Sequence, residues 1–549
     1  MLKINKTGWG LILIFLVALA FRTYKLSDFP YGFHFDEANA AWNSLSILET
    51  GKDDQGNFLP WYYNSFGDFR PTGLFYLIMP FLVIFGETVM AVRIAAAVFG
   101  ALTIFPLYLL AKELTKSETK SKLVPICTAF LLAVNPWHIN VSRATSEVAV
   151  SLFLAVFGLY FLIRTIKYNS KISAIASFFL FLISFWFYHS IRVLAPALAV
   201  ITIGYYYVLN KKKLKINWSW LVALGLILAT ILVMGSSQAR GRLGQVLIKN
   251  DAKVDKELIQ MPVEEGQNNV LVARIFHNKV AVLGRRFAEE YSSYFGTDFL
   301  IGRAAKPIRY ITTNNGLLTY VEYVFLILGL MAIAGKPESR MVILWLLLAP
   351  IPAAVTNEDV PNLHRSMLMV PFLMIIEGFG LGLILKAKSK ILKIIVLVLL
   401  GLNLIYYLHF YYSHGNFALS VYYRDGGMIE MAKEVGKIQN NYDLIVLTNY
   451  GENPYPWIAF FNNMDPKDFN KNRKSLGDGS SQYRNLLFSN QHCPSETAFK
   501  KYDVKRLLVV DGEGCGLPPE QVKTYGITNQ FNILRKDNSP PFVMRERVR

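Results

Sequence analysis

VMAVRIAAAVFGALTIFPLYLL, Val89 to Leu110, followed at once by AKELTKSETKSK, Ala111 to Lys122, decides the fold class. The first string holds a single charge, Arg93, and as a helix it is long enough to cross the roughly 30 Å hydrocarbon core of a bilayer. The second carries Lys112, Lys116, Lys120 and Lys122, the lysine enrichment of a cytoplasmic loop. The same alternation recurs along the chain. Reading apolar stretches of roughly 17–25 residues as spans gives about eleven. They lie at 8–24, 89–110, 123–137, 148–166, 174–189, 193–209, 218–235, 317–334, 341–355, 367–385 and 391–411.

The loops set the orientation. Further basic clusters are Arg164, Lys167 and Lys171, then Lys211, Lys212, Lys213 and Lys215, then Lys336 and Arg340, then Lys386, Lys388, Lys390 and Lys393. With the N-terminus inside, all of them fall on the cytoplasmic side. The outer segments are then 27–88, 140–147, 236–316, 356–366 and everything after Tyr412. The expectation is an integral plasma membrane protein with a cytoplasmic N-terminus. Composition agrees, with 53% hydrophobic and only 17% charged residues among 549. The net charge of +18 sits in these loops, so the membrane accounts for it and nucleic acid is not an expected partner.

Lys3 and Lys6 before the apolar residues 8–21, with Ala18-Leu19-Ala20 behind them, fit either a cleaved signal peptide or an uncleaved anchor. In the first outer loop, 36–48 has the spacing of a short amphipathic helix. The segment 72–85 is apolar but short for a span. Both read as interfacial helices, with half a re-entrant hairpin as the alternative for the second. After residue 412, helices at 426–439, 456–461 and 518–525 alternate with strands at 444–448, 506–510 and 527–534, around a polar loop at 465–491. That is a small extracytoplasmic α/β domain, 412–549, following a membrane domain, 1–411. Neither Gly477-Asp478-Gly479 nor Gly512-Glu513-Gly514 leads into a phosphate-cradling helix. Of the three cysteines, Cys127 reads as a core residue, and Cys493 and Cys515 can pair if their compartment is oxidising.

Chemistry concentrates in the outer loops. Asp36-Glu37 follows the first span, and a carboxylate pair beside a bilayer is costly unless it binds something. The plain alternative is that Asp36 caps a helix and Glu37 favours its first turn. Asp53-Asp54 reads as a solvated turn pair. Arg70, in Gly67-Asp68-Phe69-Arg70-Pro71, can grip a phosphate in two-point fashion or snorkel to headgroups. Asn135-Pro136-Trp137-His138 places Trp137 at the depth of an aromatic belt. Arg143 and Glu147 are four apart: either an ion pair on one helix face, or a phosphate contact and a second carboxylate. Tyr188-His189-Ser190 with Arg192, and His364-Arg365, close two more outer turns. Outer turns that end in Arg, His or acid favour one polar cavity open to the outside. No His or Cys spacing marks a tight metal site.

These residues resemble the GT-C membrane glycosyltransferases of glycosyltransferase family 39, the protein O-mannosyltransferases and lipid A aminoarabinose transferases. The likeness lies in Asp36-Glu37 after the first span, Arg70-Pro71 before Gly73-Leu74-Phe75-Tyr76, Val92-Arg93, and the cluster from Asn135 to Glu147. It implies an N-terminal span kept in the fold and a polyprenyl-phosphate sugar donor. It also implies inverting transfer at the outer face to a lipid, protein or polysaccharide acceptor. Asp36 is then the catalytic carboxylate, with Glu37 and Glu147 helping to form the site. Arg70, Arg143, Arg192, His364 and Arg365 are the candidates for donor phosphate. Relatives with Glu-Lys-Pro contrast with Phe69-Arg70-Pro71 here, so a divalent cation stays an open option with no assigned ligands. A Trp-Trp-Asp-Tyr-Gly motif is missing, which argues against whole-glycan transfer. The competing function is a transporter or flippase for a lipid-linked or anionic solute, with Arg93 and Arg192 as its support.

Overall fold

The computed structural model describes residues 6–65, 68–116, 123–209, 217–265, 270–312, 314–414 and 424–549. Lys3, Gly67, Lys120, Lys122, Lys211, Lys212, Lys213 and Lys215 lie outside the described residues. In chain order the first elements are α1 (Lys6–Thr23), α2 (Phe35–Thr50), β1 (Tyr62–Ser65), β2 (Asp68–Pro71) and α3 (Gly73–Phe85). Next come α4 (Val89–Leu102), α5 (Ile104–Leu114), α6 (Leu123–Val134) and α7 (Pro136–Arg143). They are followed by α8 (Glu147–Tyr168), α9 (Lys171–Ser184), α10 (Ile191–Leu209) and α11 (Trp218–Met234). Later apolar helices are Tyr320–Ile333, Pro337–Leu348, Met369–Lys386 and Lys390–His409.

Every expected span contains a helix, but not every helix is long enough to cross a bilayer. Among the described residues five are: Val89–Leu114, Glu147–Tyr168, Ile191–Leu209, Met369–Lys386 and Lys390–His414. Two bent pairs, α6 with α7 at 51° and α11 with Ser237–Val246 at 76°, raise this to seven if each is one span. The expected span 123–137 is broken because Asn135 caps a new helix, its side chain accepting from the His138 amide, with Pro136 at the first helical position. Ile391, Ile394, Leu397, Val398 and Ile405 are exposed on Lys390–His409, as a lipid-facing surface requires.

The chain forms two compact units. The first comprises Met1–Tyr24, Trp61–Gly73 and Ala96–Tyr411, and the second Lys25–Pro60, Leu74–Ala95 and Tyr412–Arg549. In the first, Tyr320–Ile333 and Met369–Lys386 approach through Gly329 and Gly380. A Cβ there would strike the Ile376 and Phe325 carbonyls. Small residues let helix backbones close up where lipid supplies no hydrophobic drive.

The second unit holds a seven-stranded mixed sheet in the order β4-β5-β6-β3-β7-β9-β8. Its strands are β3 (Leu444–Leu447), β4 (Lys474–Ser475), β5 (Ser481–Tyr483), β6 (Leu486–Phe488), β7 (Arg506–Gly512), β8 (Asn529–Ile533) and β9 (Phe542–Val548). β3 runs parallel to β6 and β7, and the remaining neighbours are antiparallel. The expected loop 465–491 therefore contains a helix, Pro466–Asn472, and three short strands. β9 escaped the reading because Arg545 and Arg547 disguise its apolar alternation. Both are buried, Arg545 against Asp511 and Arg547 against the Phe499 and Tyr502 carbonyls. Cys493 and Cys515 form a disulfide with Cα atoms 5.5 Å apart, and Cys127 is a buried free thiol.

Candidate active site

In the second unit, α2 begins one residue earlier than Asp36. His34 is the cap: its Nδ1 accepts the Asp36 amide at 3.1 Å, and its own amide donates to Glu37 Oε2 at 3.2 Å. The expectation that Asp36 caps the helix is thus corrected. Asp36 instead sits in the first turn with its side chain 24% exposed and one carboxylate oxygen 3.5 Å from His34 Nδ1. A carboxylate there is favoured by the orphan amides of the helix start.

Glu37 points the other way and is 2% exposed. Arg93 grips it with two bonds, Nε to Oε1 at 2.8 Å and Nη2 to Oε2 at 3.0 Å, and Arg424 Nη2 bonds Oε2 as well. Arg93 also donates to the carbonyls of Leu26 (3.2 Å), Pro30 (2.9 Å) and Gly32 (2.6 Å). The segment leading into α2 is therefore tied to the same guanidinium as Glu37. Removing three charges from water is costly, and the close two-point geometry with extra carbonyl acceptors offsets that cost.

The rest of α2 is not an exposed interfacial helix. It is buried from Glu37 to Ile47, including Asn39, Asn43, Ser44 and Ser46. Trp457 donates its indole N–H to the Phe33 carbonyl at 2.7 Å, and Trp42 packs edge-on against Phe469. Asp53 and Asp54, expected in solvent, are buried too. Asp53 accepts the amides of Gln55 and Asn57 inside the turn, and Asp54 accepts the Tyr455 hydroxyl. The amphipathic pattern was real, but protein covers both faces because the polar face finds hydrogen-bond partners.

In the first unit, Arg70 lies on β2, paired with Tyr63 of β1. His189 Nε2 donates to the Phe69 carbonyl at 3.1 Å, while its Nδ1 accepts from Arg192 at 2.8 Å, which fixes the neutral tautomer. Arg192 is buried, bonds the Phe185 carbonyl through Nε and Nη2, and lies over the Tyr62 ring. The turn before α10 and the hairpin carrying Arg70 are thereby joined. Gly73 completes the join: its amide bonds the Trp186 carbonyl, and a Cβ would sit 2.6 Å from that oxygen.

Arg143 and Glu147 do not share a helix face. Residues 144–146 separate α7 from α8, and Glu147 opens α8, half-buried where the helix start favours an acid. Arg143 is fully buried and donates to the carbonyls of Phe21 and Tyr24, each at 2.7 Å, and to the Tyr411 hydroxyl. It caps the end of α1. Arg22 of α1, missed in the sequence because it reads as one cation ending a span, in turn caps α6 through the Leu132 and Ala133 carbonyls. Capping of this kind satisfies orphan carbonyls that lipid cannot. Trp137, expected in an aromatic belt, is fully buried with its N–H on the Leu363 carbonyl.

His364 packs on the Tyr310 ring at 4.0 Å. Arg365 bonds Thr356 Oγ1 and the Glu358 carbonyl, both at 2.8 Å, and pairs with the Glu358 carboxylate. Asn357 and Glu358 of that turn, with Gln245 and Val246, line an open cavity of about 310 Å³.

Two structures of ArnT from Cupriavidus metallidurans match nearly end to end. The apo form has a TM-score of 0.51 at 12% identity, covering 98% of both chains. The form bound to undecaprenyl phosphate has a TM-score of 0.53 at 11% identity, covering 99% of this chain and 98% of that one. This chain has the GT-C fold. Residues 70–235 of this chain match the family described as dolichyl-phosphate-mannose-protein mannosyltransferase. No curated protein sequence matches it significantly.

The second unit gathers Asp36, Glu37, Arg93 and Arg424, and the first gathers Arg70, His189 and Arg192. Arg424 and Asp425 were missed in the sequence. Their only local signal is an Arg-Asp pair before Gly426-Gly427, past the last span. Among the described residues the one cluster with metal-ligand types is His492, Cys493 and Cys515, whose sulfurs are already joined to each other. Phe69 beside Arg70 offers no oxygen side chain, so no cation ligand set is assigned.

Proposed function

We propose that the chain is a membrane glycosyltransferase that moves a monosaccharide from a polyprenyl-phosphate carrier to an acceptor outside the cytoplasm, with inversion. The observation that carries this reading is Asp36: a partly exposed carboxylate on a helix start whose next residue is locked by two arginines. The GT-C fold, the matched mannosyltransferase family and the undecaprenyl phosphate bound to ArnT support the donor class. The disulfide supports an oxidising, extracytoplasmic location for 412–549.

In this mechanism Asp36 takes the acceptor O–H proton as the acceptor oxygen bonds the anomeric carbon from the face opposite the phosphate. The anomeric C–O bond to phosphate breaks, and its electron pair leaves on polyprenyl phosphate. The departing charge needs a cation, and that role is given to Arg70 on the family resemblance alone. Glu37 is an anchor for α2, and Arg143 and Arg192 hold helix ends. Glu147, His364 and Arg365 shape the outer side of the first unit. A transport role would draw on Arg93 and Arg192, and both are bonded to protein groups, which favours the transferase.

The test is release of polyprenyl phosphate by purified protein offered a panel of polyprenyl-phosphate sugars. Asp36→Asn should lower turnover by about 10²–10⁴-fold while the protein still folds. A folded Asp36→Asn protein with normal turnover would overturn the assignment.

A further inference from the structure

We propose that Arg424 and Asp425 are positioning residues for this reaction, completing the catalytic end of α2 from the C-terminal segment. The proposal rests on the reading of Asp36 as the catalytic carboxylate. Three observations within the second unit carry it. Asp425 Oδ2 accepts the Phe35 amide at 2.8 Å, one of the orphan N–H groups that open α2, next to Asp36 itself. Arg424 Nη2 bonds Glu37 Oε2 on the other side of Asp36. The residues before and after Asp36 are thus both held by this pair.

The third observation is the backbone. Gly32, at φ +80°, packs against the Arg424 carbonyl so closely that a Cβ would collide with it. Asp425 itself adopts a left-handed φ of 53°, uncommon outside glycine and sustained when surrounding contacts demand it. Tyr31 adds a hydroxyl bond to Glu430 at 3.1 Å, and the Lys536 amide donates back to Tyr31. The chain from Tyr31 to Glu37 therefore follows the path that the residues after 424 impose. A carboxylate displaced by about 1 Å from its reacting proton loses on the order of 10²-fold in rate. Arg424 and Asp425 touch no reacting atom and act through Asp36.

The experiment uses full-length protein and a donor found active in the panel above, with kcat, donor KM and thermal unfolding measured for each variant. Arg424→Gln and Asp425→Ala should each lower kcat by about 10-fold or more with donor KM within about 2-fold. Arg424→Lys, which keeps the charge, and Asp425→Asn, which keeps an oxygen acceptor for Phe35 N–H, should recover most of kcat. If Asp425→Ala does not fold, Arg424→Gln against Arg424→Lys decides. Folded Arg424→Gln protein with unchanged kcat overturns the proposal. So does a loss that appears in donor KM, or one that Arg424→Lys fails to repair. Asp36→Asn is run in parallel: inactive Asp36→Asn beside fully active Arg424→Gln refutes the positioning role alone, whereas active Asp36→Asn refutes the reading beneath it.

Discussion

Arg93 and Glu37 form a two-point ion pair at 2.8 and 3.0 Å, with both side chains withdrawn from solvent. Arg93 belongs to α4 and Glu37 to α2, so a cation that would be expensive inside a membrane helix is spent on anchoring the loop before it.

Deleting one partner should expose the cost of the other. Arg93→Met takes from Glu37 its two-point partner and removes the bonds to the carbonyls of Leu26, Pro30 and Gly32. The expected loss is about 3–5 kcal/mol of stability, read by denaturant unfolding in detergent. A loss below about 1 kcal/mol would show that the pair is dispensable.

Arg70 should act on donor binding. Arg70→Gln is expected to raise donor KM by about 10–100-fold, the worth of a charge-assisted bond to phosphate, and Arg70→Lys to keep most of the affinity. Steady-state kinetics with the active donor checks this, and equal KM values for the three proteins would remove Arg70 from the phosphate site.

Glu87, in the turn between α3 and α4, has its carboxyl pushed up to about 7 by burial and then by the neighbouring Glu49 carboxylate. A raised folded-state value means the native protein holds this proton more tightly than the unfolded chain. The resulting stability is full below about pH 4.5 and is lost as pH rises through about 7. Glu87→Gln should therefore be the more stable protein above pH 7, by about 1 kcal/mol after solvent screening of a half-buried group, with little difference at pH 4.5. Unfolding midpoints across that pH range test the sign.

The Cys493–Cys515 bond closes a loop of 22 residues. Replacing both cysteines by serine should cost about 3 kcal/mol, and the wild-type protein should show the same loss in reductant. Thermal unfolding with and without reductant measures it. Serine variants that unfold like the oxidised protein would mean the loop is held by its other contacts.

The sequence alone determined the places of the apolar helices, the turn to alternating helices and strands towards the C-terminus, and the residues worth testing. Hydrophobic length and lysine position are local properties, and a bilayer imposes them segment by segment. Short helices such as Lys171–Ser184 were found for the same reason, although their length does not by itself make a span. Tertiary structure alone decided what each charge does. Arg143 and Arg22 look like phosphate ligand and span terminus in one dimension, yet each caps another helix's carbonyls. Glu37 reads as Asp36's equal, but Arg93 and Arg424 bury it from positions far away in the chain. β9 and the polar bed of α2 stayed hidden because buried charges and amides follow no periodicity. A hydrogen bond depends on which donor and acceptor meet in space, and spacing along the chain does not record that.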